Sequence, residues 1–348
     1  MIHHRVAVIP GDGIGPEVVE AALPVLARAA RLDGVELGVE RFPYGAEHYL
    51  ATGETLPEAA FQRLEREFDA ILVGALGDPR VPRNEHARDI LLGLRFRLDL
   101  YINFRPVRLL HPRLTPLKDS RPIDFAVFRE NTEGPYGGRG RSLMVGTPNE
   151  EQISEEVHTW RGVTRILEAA FAWAEAHGRT RITLCDKANA IPFHRIWAER
   201  FQDIGADHPA IEREHRYIDA LALDLVRSPE RFQLVVTNNL YGDIISDLGA
   251  GLVGGLGLAP SANLHPGRPG VFEPVHGSAP PLTGTGTANP MATILTGALM
   301  LESLGHLGTR ARVEAAVRHI IASGPTTPDL GGRASTHQVA EAIETALG

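Results

Sequence analysis

Three aspartates, one lysine and one tyrosine stand out for the chemistry they could share. Asp243 and Asp247 lie four apart in NNLYGDIISD, Asp219 lies in RYIDALA, Lys187 in CDKANA and Tyr136 in FRENTEGPYGG. Three carboxylates suit a hard divalent cation. A lysine and a tyrosine beside such an ion suit proton transfer. Arg95, Arg105 and Arg129 add cationic forks for carboxylates. The set reads as a metal-assisted enzyme acting on a small polyanionic acid.

Each member also has a simpler reading. On a helix, Asp243 and Asp247 share a face with about 5–6 Å between Cβ atoms, where like charges repel unless a cation offsets them. Acids in a helix's first turn can equally complement its dipole. Asp219 suits an N-cap for the ALALDLV helix. Lys187 follows a strand, where loops of α/β sheets face ligands. It acts as a base only if desolvation or a nearby cation lowers its pKa, and otherwise it is a surface lysine. Tyr136 either caps a hairpin or serves as a general acid. If DILLGLRFR is helical, Arg88, Leu91, Leu92 and Arg95 fall on one stripe. That stripe is either a core face or an apolar patch beside a carboxylate-binding Arg95. Arg105 precedes Pro106 and so approaches in extended conformation.

The frame that positions these residues alternates strand-like and helix-like segments, which argues for α/β. Val6–Ile9, Ala70–Val73, Phe125–Phe128, Ile182–Leu184 and Leu234–Val236 read as strands. Pro16 opens a helix, where its missing N–H costs little. Ser154 is expected to cap a helix carrying Val157, Trp160, Thr164, Leu167, Phe171 and Ala174 on one stripe, ended by Gly178. Three more helices are expected near 290–304, 309–323 and 335–347. The Gly- and Pro-rich stretch 251–286 reads as a long ordered loop of functional character. GDGIGPE lacks the third glycine of the dinucleotide fingerprint, because Pro16 stands there, and no phosphate-loop pattern occurs. The loop HGSAPPLTGTGTANP is the better place for a nucleotide, with Asn289 just before a helix N-terminus.

A chain of 348 residues suggests two lobes. Its 43% hydrophobic and 22% charged residues are ordinary for a soluble protein. A net charge of −8 without a basic tract argues against nucleic acid or an anionic membrane as partner. The single cysteine, Cys185, excludes an internal disulfide and reads either as a buried strand residue or as a reactive thiolate beside Lys187. The N-terminus shows no signal-peptide organisation and no apolar run approaches about 18 residues, so a cytoplasmic setting is expected.

The motifs IPGDGIGPEV, LRFRLDLYINFRPVR, FRENTEGPY, DKAN, NNLYGDIISD, FEPVHGSAP and TANP occur in the order seen in the β-decarboxylating dehydrogenases, the family of isopropylmalate, isocitrate, homoisocitrate and tartrate dehydrogenases. The chain resembles that family over essentially its whole length. The resemblance implies an isopropylmalate dehydrogenase-like fold of two α/β lobes around one cleft, with a large mixed sheet and no ordinary Rossmann domain. Residues 1–100 and 255–348 would form the dinucleotide-binding lobe. Residues 101–254 would form the other, carrying the metal and substrate site and the dimer contact. It implies Mg2+ or Mn2+ on Asp219, Asp243 and Asp247, with Asp219 and Lys187 reaching in from the second subunit of a homodimer. Lys187 would be the base and Tyr136 the acid. Arg95, Arg105 and Arg129 would bind the carboxylates of a 2-hydroxy dicarboxylic acid. Asn189 would lie near the nicotinamide of NAD, and Glu273, His276, Gly277, Ser278, Ala279 and Asn289 would hold the dinucleotide.

Within the family, two apolar residues three and four before the first arginine resemble the isopropylmalate form, and here they are Leu91 and Leu92. The expected reaction is oxidative decarboxylation of 3-isopropylmalate to 4-methyl-2-oxopentanoate and CO2, with NAD reduced, in leucine biosynthesis. Two positions depart from the pattern. Arg88 stands where many isopropylmalate members carry glutamate. Pro281, followed by Leu282, stands where NAD-dependent members carry an aspartate for the adenosine ribose. A non-catalytic regulatory subunit of the family would lack at least one of Tyr136, Lys187 and the three aspartates, and all five are present.

Overall fold

The computed structural model describes residues 2–348. In chain order the elements are β1 (Ile2–Gly11), α1 (Gly15–Leu32), β2 (Val35–Arg41), α2 (Ala46–Thr52), α3 (Glu58–Glu67), β3 (Ala70–Ala75), α4 (Glu85–Arg97), β4 (Ile102–Arg108), β5 (Asp124–Glu130), β6 (Gly140–Leu143) and β7 (Glu151–Ser154). They continue as α5 (Trp160–Ala176), β8 (Arg181–Asp186), α6 (Arg195–Gly205), β9 (Glu212–Tyr217), α7 (Ile218–Arg227), β10 (Leu234–Thr237), α8 (Asn239–Leu252), β11 (Pro260–Leu264), β12 (Gly270–Pro274), α9 (Met291–Ser303), α10 (Leu307–Ser323) and α11 (Thr336–Ala346). The architecture is mixed α/β with a large sheet of ten strands. No helix of the described residues is long and apolar enough to cross a membrane.

Two compact units are present. One comprises the chain up to Leu100, Arg108–Ser120 and Ala250–Gly348, and the other Tyr101–Val107 and Arg121–Gly249. The division after Leu100 lies where expected, but the second unit ends at Gly249 rather than 254 and does not include Arg108–Ser120. Arg108–Ser120 belongs to the first unit, where Arg108 pairs with Glu314 on α10 at 2.5 Å and Leu114 lies against Gly254.

In the first unit the strands run β2-β1-β3-β12-β11. β2, β1, β3 and β12 are parallel to one another, and β11 is antiparallel to β12. β1 and β3 read as continuous apolar runs because parallel strands are covered on both faces. One core cluster joins Ala7 and Ile9, Ile71 and Val73, and Ile90, Leu94 and Leu98 of α4 and its C-cap. Each such aliphatic side chain contributes about 1.5–3 kcal/mol by leaving water. Every residue of α9 from Met291 to Leu301 is buried, so this helix is enclosed all round, with Thr293 and Thr296 the polar residues among its apolar side chains. The stretch 251–286 is not the expected long loop. It contains the β11–β12 pair, whose short strands were masked by the surrounding glycine and proline.

The turn after β1 shows why GDGIGPE is no dinucleotide cradle. Gly11 and Gly13 have φ of +77° and +58°. A Cβ on Gly11 would meet the Ala75 carbonyl, and one on Gly13 the Ser278 carbonyl, each at 2.0 Å. The N–H groups of Asp12 and Ile14 already donate to those same two carbonyls, at 2.6 and 2.9 Å. The positive φ therefore serves tight packing of the chain against itself. Asp12 extends this knot by accepting from Ala46 N (2.5 Å) and Gly77 N (2.8 Å) and by meeting His86 Nε2 at 2.7 Å, which ties down the start of α4.

In the second unit the strands run β4-β5-β10-β8-β9, with β5, β10, β8 and β9 parallel in register. The β6–β7 ribbon stands apart from this sheet and is exposed. It overturns the expected cap at Ser154. That residue is paired with Gly140 in the ribbon, so the cap passes to Thr159, whose hydroxyl accepts from Gly162 N at 3.0 Å. The buried face of α5 is accordingly Val163, Ile166, Leu167, Ala170, Phe171 and Ala174, and Trp160 is exposed. Gly178 follows the helix with φ +63°, as expected.

Cys185 settles as a strand residue. It is wholly buried on β8, and burial pushes its thiol up to about 12. We predict no reaction with an aromatic disulfide reagent at pH 8 in the native protein and one reactive thiol after unfolding in guanidinium; a native thiol that titrates at once would contradict this placement.

Candidate active site

The second unit gathers charge where β4, β5 and β10 meet α8. Asp243 and Asp247 sit one turn apart on α8, beyond its first turn, so the helix dipole does not account for them. Arg129, at the end of β5, is 2% exposed. Its Nε and Nη2 donate to Asn239 Oδ1 at 2.9 and 2.7 Å, and its Nη1 donates to Asp243 Oδ1 at 2.5 Å. Arg105, on β4, donates through Nη1 to Ser246 Oγ at 2.7 Å. The same nitrogen lies 3.2 Å from Asp243 Oδ1 and 3.3 Å from Asp247 Oδ1. The Tyr136 hydroxyl donates to Asp243 Oδ2 at 2.9 Å. Asp243 thus joins a phenol and two guanidinium groups. Partial burial raises the Asp247 carboxyl; Arg105 opposes that rise and the neighbouring Asp243 charge adds to it.

Lys187 and Asp219 form a separate pair. Lys187 leaves the end of β8, and its Nζ donates to Asp219 Oδ1 in the first turn of α7. Tyr217, not Asp219, occupies the N-cap position of α7. The lysine hydrogen bond holds the exposed Asp219 carboxyl below the usual carboxylate range. Within one chain the three aspartates do not converge. Among the described residues, the only three acidic, histidine or cysteine side chains with ligand atoms all within 4.8 Å are Glu156, His158 and His194.

Four residues that the sequence reading passed over hold the site. Glu130, buried at the end of β5, accepts from Thr132 N, Thr132 Oγ1 and Glu133 N at 2.7–3.0 Å and so folds the turn that leads to Tyr136. Burial raises its carboxyl, against those hydrogen bonds. Glu133 accepts from Thr159 N at 2.8 Å and links that turn to the start of α5. Asn239 and Ser246 fix the two arginines. Both lie in NNLYGDIISD beside the aspartates, so a helix-face reading of that motif points to Ser246, three residues after Asp243.

The first unit carries the remaining candidates. On α4 the buried face is His86, Ala87, Ile90 and Leu94. Leu91, Leu92 and Arg95 are half-buried, and Arg88 is exposed. Neither leucine is fully buried, but Leu91 packs against the core cluster of Ile90 and Leu94, whereas Leu92 is not among the residues of that cluster. On β12, Glu273 accepts from Asn263 Nδ2 at 2.9 Å. Ser278 packs on the Gly13 turn, and Ala279 has a left-handed φ of +41°. Gly277 is exposed in the same loop. Asn289 accepts from Met291 N at 3.0 Å and donates to Asp329 at 2.9 Å, closing the loop onto α9. Asn189 is exposed in the turn after β8, in the second unit.

These residues fit a divalent cation and a dinucleotide in their donor chemistry. Asp219, Asp243 and Asp247 offer only carboxylate oxygens, the donor set that suits Mg2+ or Mn2+ over softer metals. For a dinucleotide, His276 is informative: its Nδ1 meets the Gly277 carbonyl at 3.1 Å, while its Nε2 is buried with no hydrogen-bond partner. Burial holds this imidazole below its usual pKa, which leaves it neutral and able to bond a ligand. We expect Mn2+ to raise the melting temperature, and Asp247→Asn to weaken that response at least about tenfold in metal concentration; an unchanged response in the variant would remove Asp247 from the ligand set.

Comparisons with known proteins place nearly the whole chain in one family. A family model described as isocitrate/isopropylmalate dehydrogenase matches residues 5–343. A 3-isopropylmalate dehydrogenase from Thermobifida fusca is 44% identical over 97% of this chain and 96% of its own. One from Nocardia farcinica is 43% identical over 99% of this chain and 100% of its own. The crystal structure of isocitrate dehydrogenase from Methylococcus capsulatus has a TM-score of 0.88 at 37% identity and covers 99% of both chains. That of the TT0538 protein from Thermus thermophilus has a TM-score of 0.86 at 35% identity, over 99% of this chain and 68% of that one. With the family model spanning nearly the whole chain and relatives above 40% identity along its length, the protein belongs to the isocitrate/isopropylmalate dehydrogenase family.

Proposed function

We propose that the protein catalyses NAD-dependent oxidative decarboxylation of (2R,3S)-3-isopropylmalate to 4-methyl-2-oxopentanoate and CO2, a step of leucine biosynthesis, as a cytoplasmic homodimer. The observation that carries the substrate is α4, where Leu91 packs partly against the core and Leu92 lies off the fully buried face, three residues and so one helical neighbour before Arg95. An isopropyl group gains by burial against two leucines, whereas a carboxylate there would lose hydration without compensation. The discrimination available is about 2 kcal/mol. The names of the Thermobifida fusca and Nocardia farcinica relatives support the same substrate.

In this reading Arg95, Arg105 and Arg129 hold the substrate carboxylates. Lys187 takes the C2 hydroxyl proton, and Tyr136 returns a proton to carbon after CO2 departs. A divalent cation held by Asp219, Asp243 and Asp247 would acidify that hydroxyl and stabilise the enolate, with NAD as hydride acceptor. Arg105 and Arg129 balance Asp243 and Asp247 in the free protein. A dication and a dianionic substrate enter such a site together without changing its net charge. The loop from Glu273 through His276–Ala279 to Asn289 holds the dinucleotide, with Asn189 near the nicotinamide. Pro281 and Leu282 offer no cation to a 2′-phosphate, which favours NAD over NADP.

The separation of the Lys187–Asp219 pair from Asp243 and Asp247 supports a site shared between protomers. Leu223 and Val226 on α7 and Ile244 on α8 are exposed apolar residues suited to a second copy.

Initial rates on a panel of 3-isopropylmalate, isocitrate, homoisocitrate and tartrate with Mn2+ test this function. The highest kcat/KM should fall on 3-isopropylmalate with NAD+; a higher value on isocitrate, or with NADP+, overturns the corresponding part. Leu92→Arg should cost about tenfold or more in kcat/KM on 3-isopropylmalate, and intact activity would show that Leu92 does not line the pocket.

A further inference from the structure

Beneath the turn that carries Lys187 lies a cluster with no part in the chemistry above. Glu156, His158 and His194 bring their ligand atoms within 4.8 Å of one another. His194 immediately precedes α6 and is wholly buried. Its Nε2 lies 3.2 Å from Glu156 Oε2, and His158 Nε2 lies 3.0 Å from Glu156 Oε1. Asn238 Nδ2 also donates to Glu156 Oε1, at 3.1 Å. The His194 ring meets His158 edge to face at 5.0 Å and Tyr241 at 5.7 Å. Two imidazoles and a carboxylate invite a metal, but one further contact decides against it. The backbone N–H of Lys187 donates to His194 Nδ1 at 3.3 Å.

A peptide N–H can only donate, so Nδ1 must be the unprotonated nitrogen, and the ring proton resides on Nε2, facing Glu156. A cation on Nε2 would move that proton to Nδ1 and set donor against donor at Lys187; metal-bound histidines instead give the second N–H to an acceptor. The hydrogen-bonded reading is consistent at both nitrogens of His194, Nδ1 accepting from Lys187 N and Nε2 facing Glu156 Oε2. The two histidines, His158 first, hold the Glu156 carboxyl down at about 2, so it remains an ionised acceptor. The Lys187 carbonyl accepts from Ala190 N (3.0 Å) and Ile191 N (2.8 Å). The peptide groups on both sides of Lys187 are therefore committed, one to its own turn and one to His194.

We propose that His194, oriented by Glu156, is a positioning residue for Lys187: its Nδ1 fixes the N–H of the residue whose amine takes the substrate proton. The proposal deepens the reading of Lys187 as the base and rests on it for its kinetic arm alone.

The test has two arms. Ring 15N shifts of the wild-type protein at neutral pH should show His194 protonated on Nε2 and bare on Nδ1; the opposite tautomer overturns the proposal, and no variant need fold for this result. His194→Asn places an amide oxygen near the position of Nδ1, whereas His194→Gln keeps a donor for Glu156 and removes the acceptor from Lys187. Hydrogen exchange of the Lys187 amide should quicken about tenfold or more in the Gln variant and stay near wild type in the Asn variant. In step with that, kcat should fall about tenfold to a hundredfold in the Gln variant with KM little changed, and the Asn variant should retain most of it. Equal losses in both variants, or unchanged Lys187 exchange in the Gln variant, would show a merely structural histidine. If the wild type oxidises none of the panel substrates, the functional reading fails while tautomer and amide exchange still decide the positioning role.

Discussion

A single carboxylate organises the chemistry of the second unit. Asp243 is held by Arg129 and approached by Arg105 on one oxygen, and it takes the Tyr136 hydroxyl on the other. Arg129 is almost completely buried, and a buried guanidinium is tolerable only when its donors are satisfied. Asn239 and Asp243 meet that demand from consecutive turns of one helix, so α8 must begin where it does and in that rotation. Given that, Ser246 and Asp247 are delivered to Arg105, and Tyr136 is drawn in by the turn that Glu130 folds. The groups that would bind a dication and a dianion are thus already paired with each other. Ligand binding becomes an exchange of partners among fixed groups, which costs less reorganisation than building the site anew.

Much of this was legible in the amino-acid order, for identifiable reasons. The strands β3, β5, β8 and β10 announce themselves as apolar runs, and α9, α10 and α11 lie close to their expected limits. Asp243 and Asp247 do share a helix face, and the glycines after β1 do not form a nucleotide cradle. What escaped was set by contacts distant in sequence. Nothing local in Ser154 indicates that a partner strand at Gly140 will claim it, leaving Thr159 to cap α5. The β11–β12 pair hides among glycines and prolines because its strands are only five residues each. Asp219 and Lys187 are recognisable as reactive types, but their direct pairing needs β9 to run beside β8.

The same limit applies to the supporting residues. Glu130 and Glu133 look like surface acids in ENTEG, yet one is nearly buried by backbone donors and the other ties two segments together. Their role lies in closing turns, a use of carboxylates that carries no spacing signature. His194 belongs with them. Its function follows from which of its nitrogens faces a peptide N–H, and that is a property of the folded turn alone.

The interruption of the first unit by the second has a consequence for synthesis. All residues of the second unit precede Ala250, so it is whole while the ribosome is still adding residues 250–348. β3 meanwhile waits with one open edge for β12, and α1 waits for α9 and α11 to cover it. The N-terminal third therefore spends much of translation with unsatisfied strand edges and bare aliphatic surface, the condition that attracts chaperones and off-pathway association. In this architecture the part made first is the part finished last.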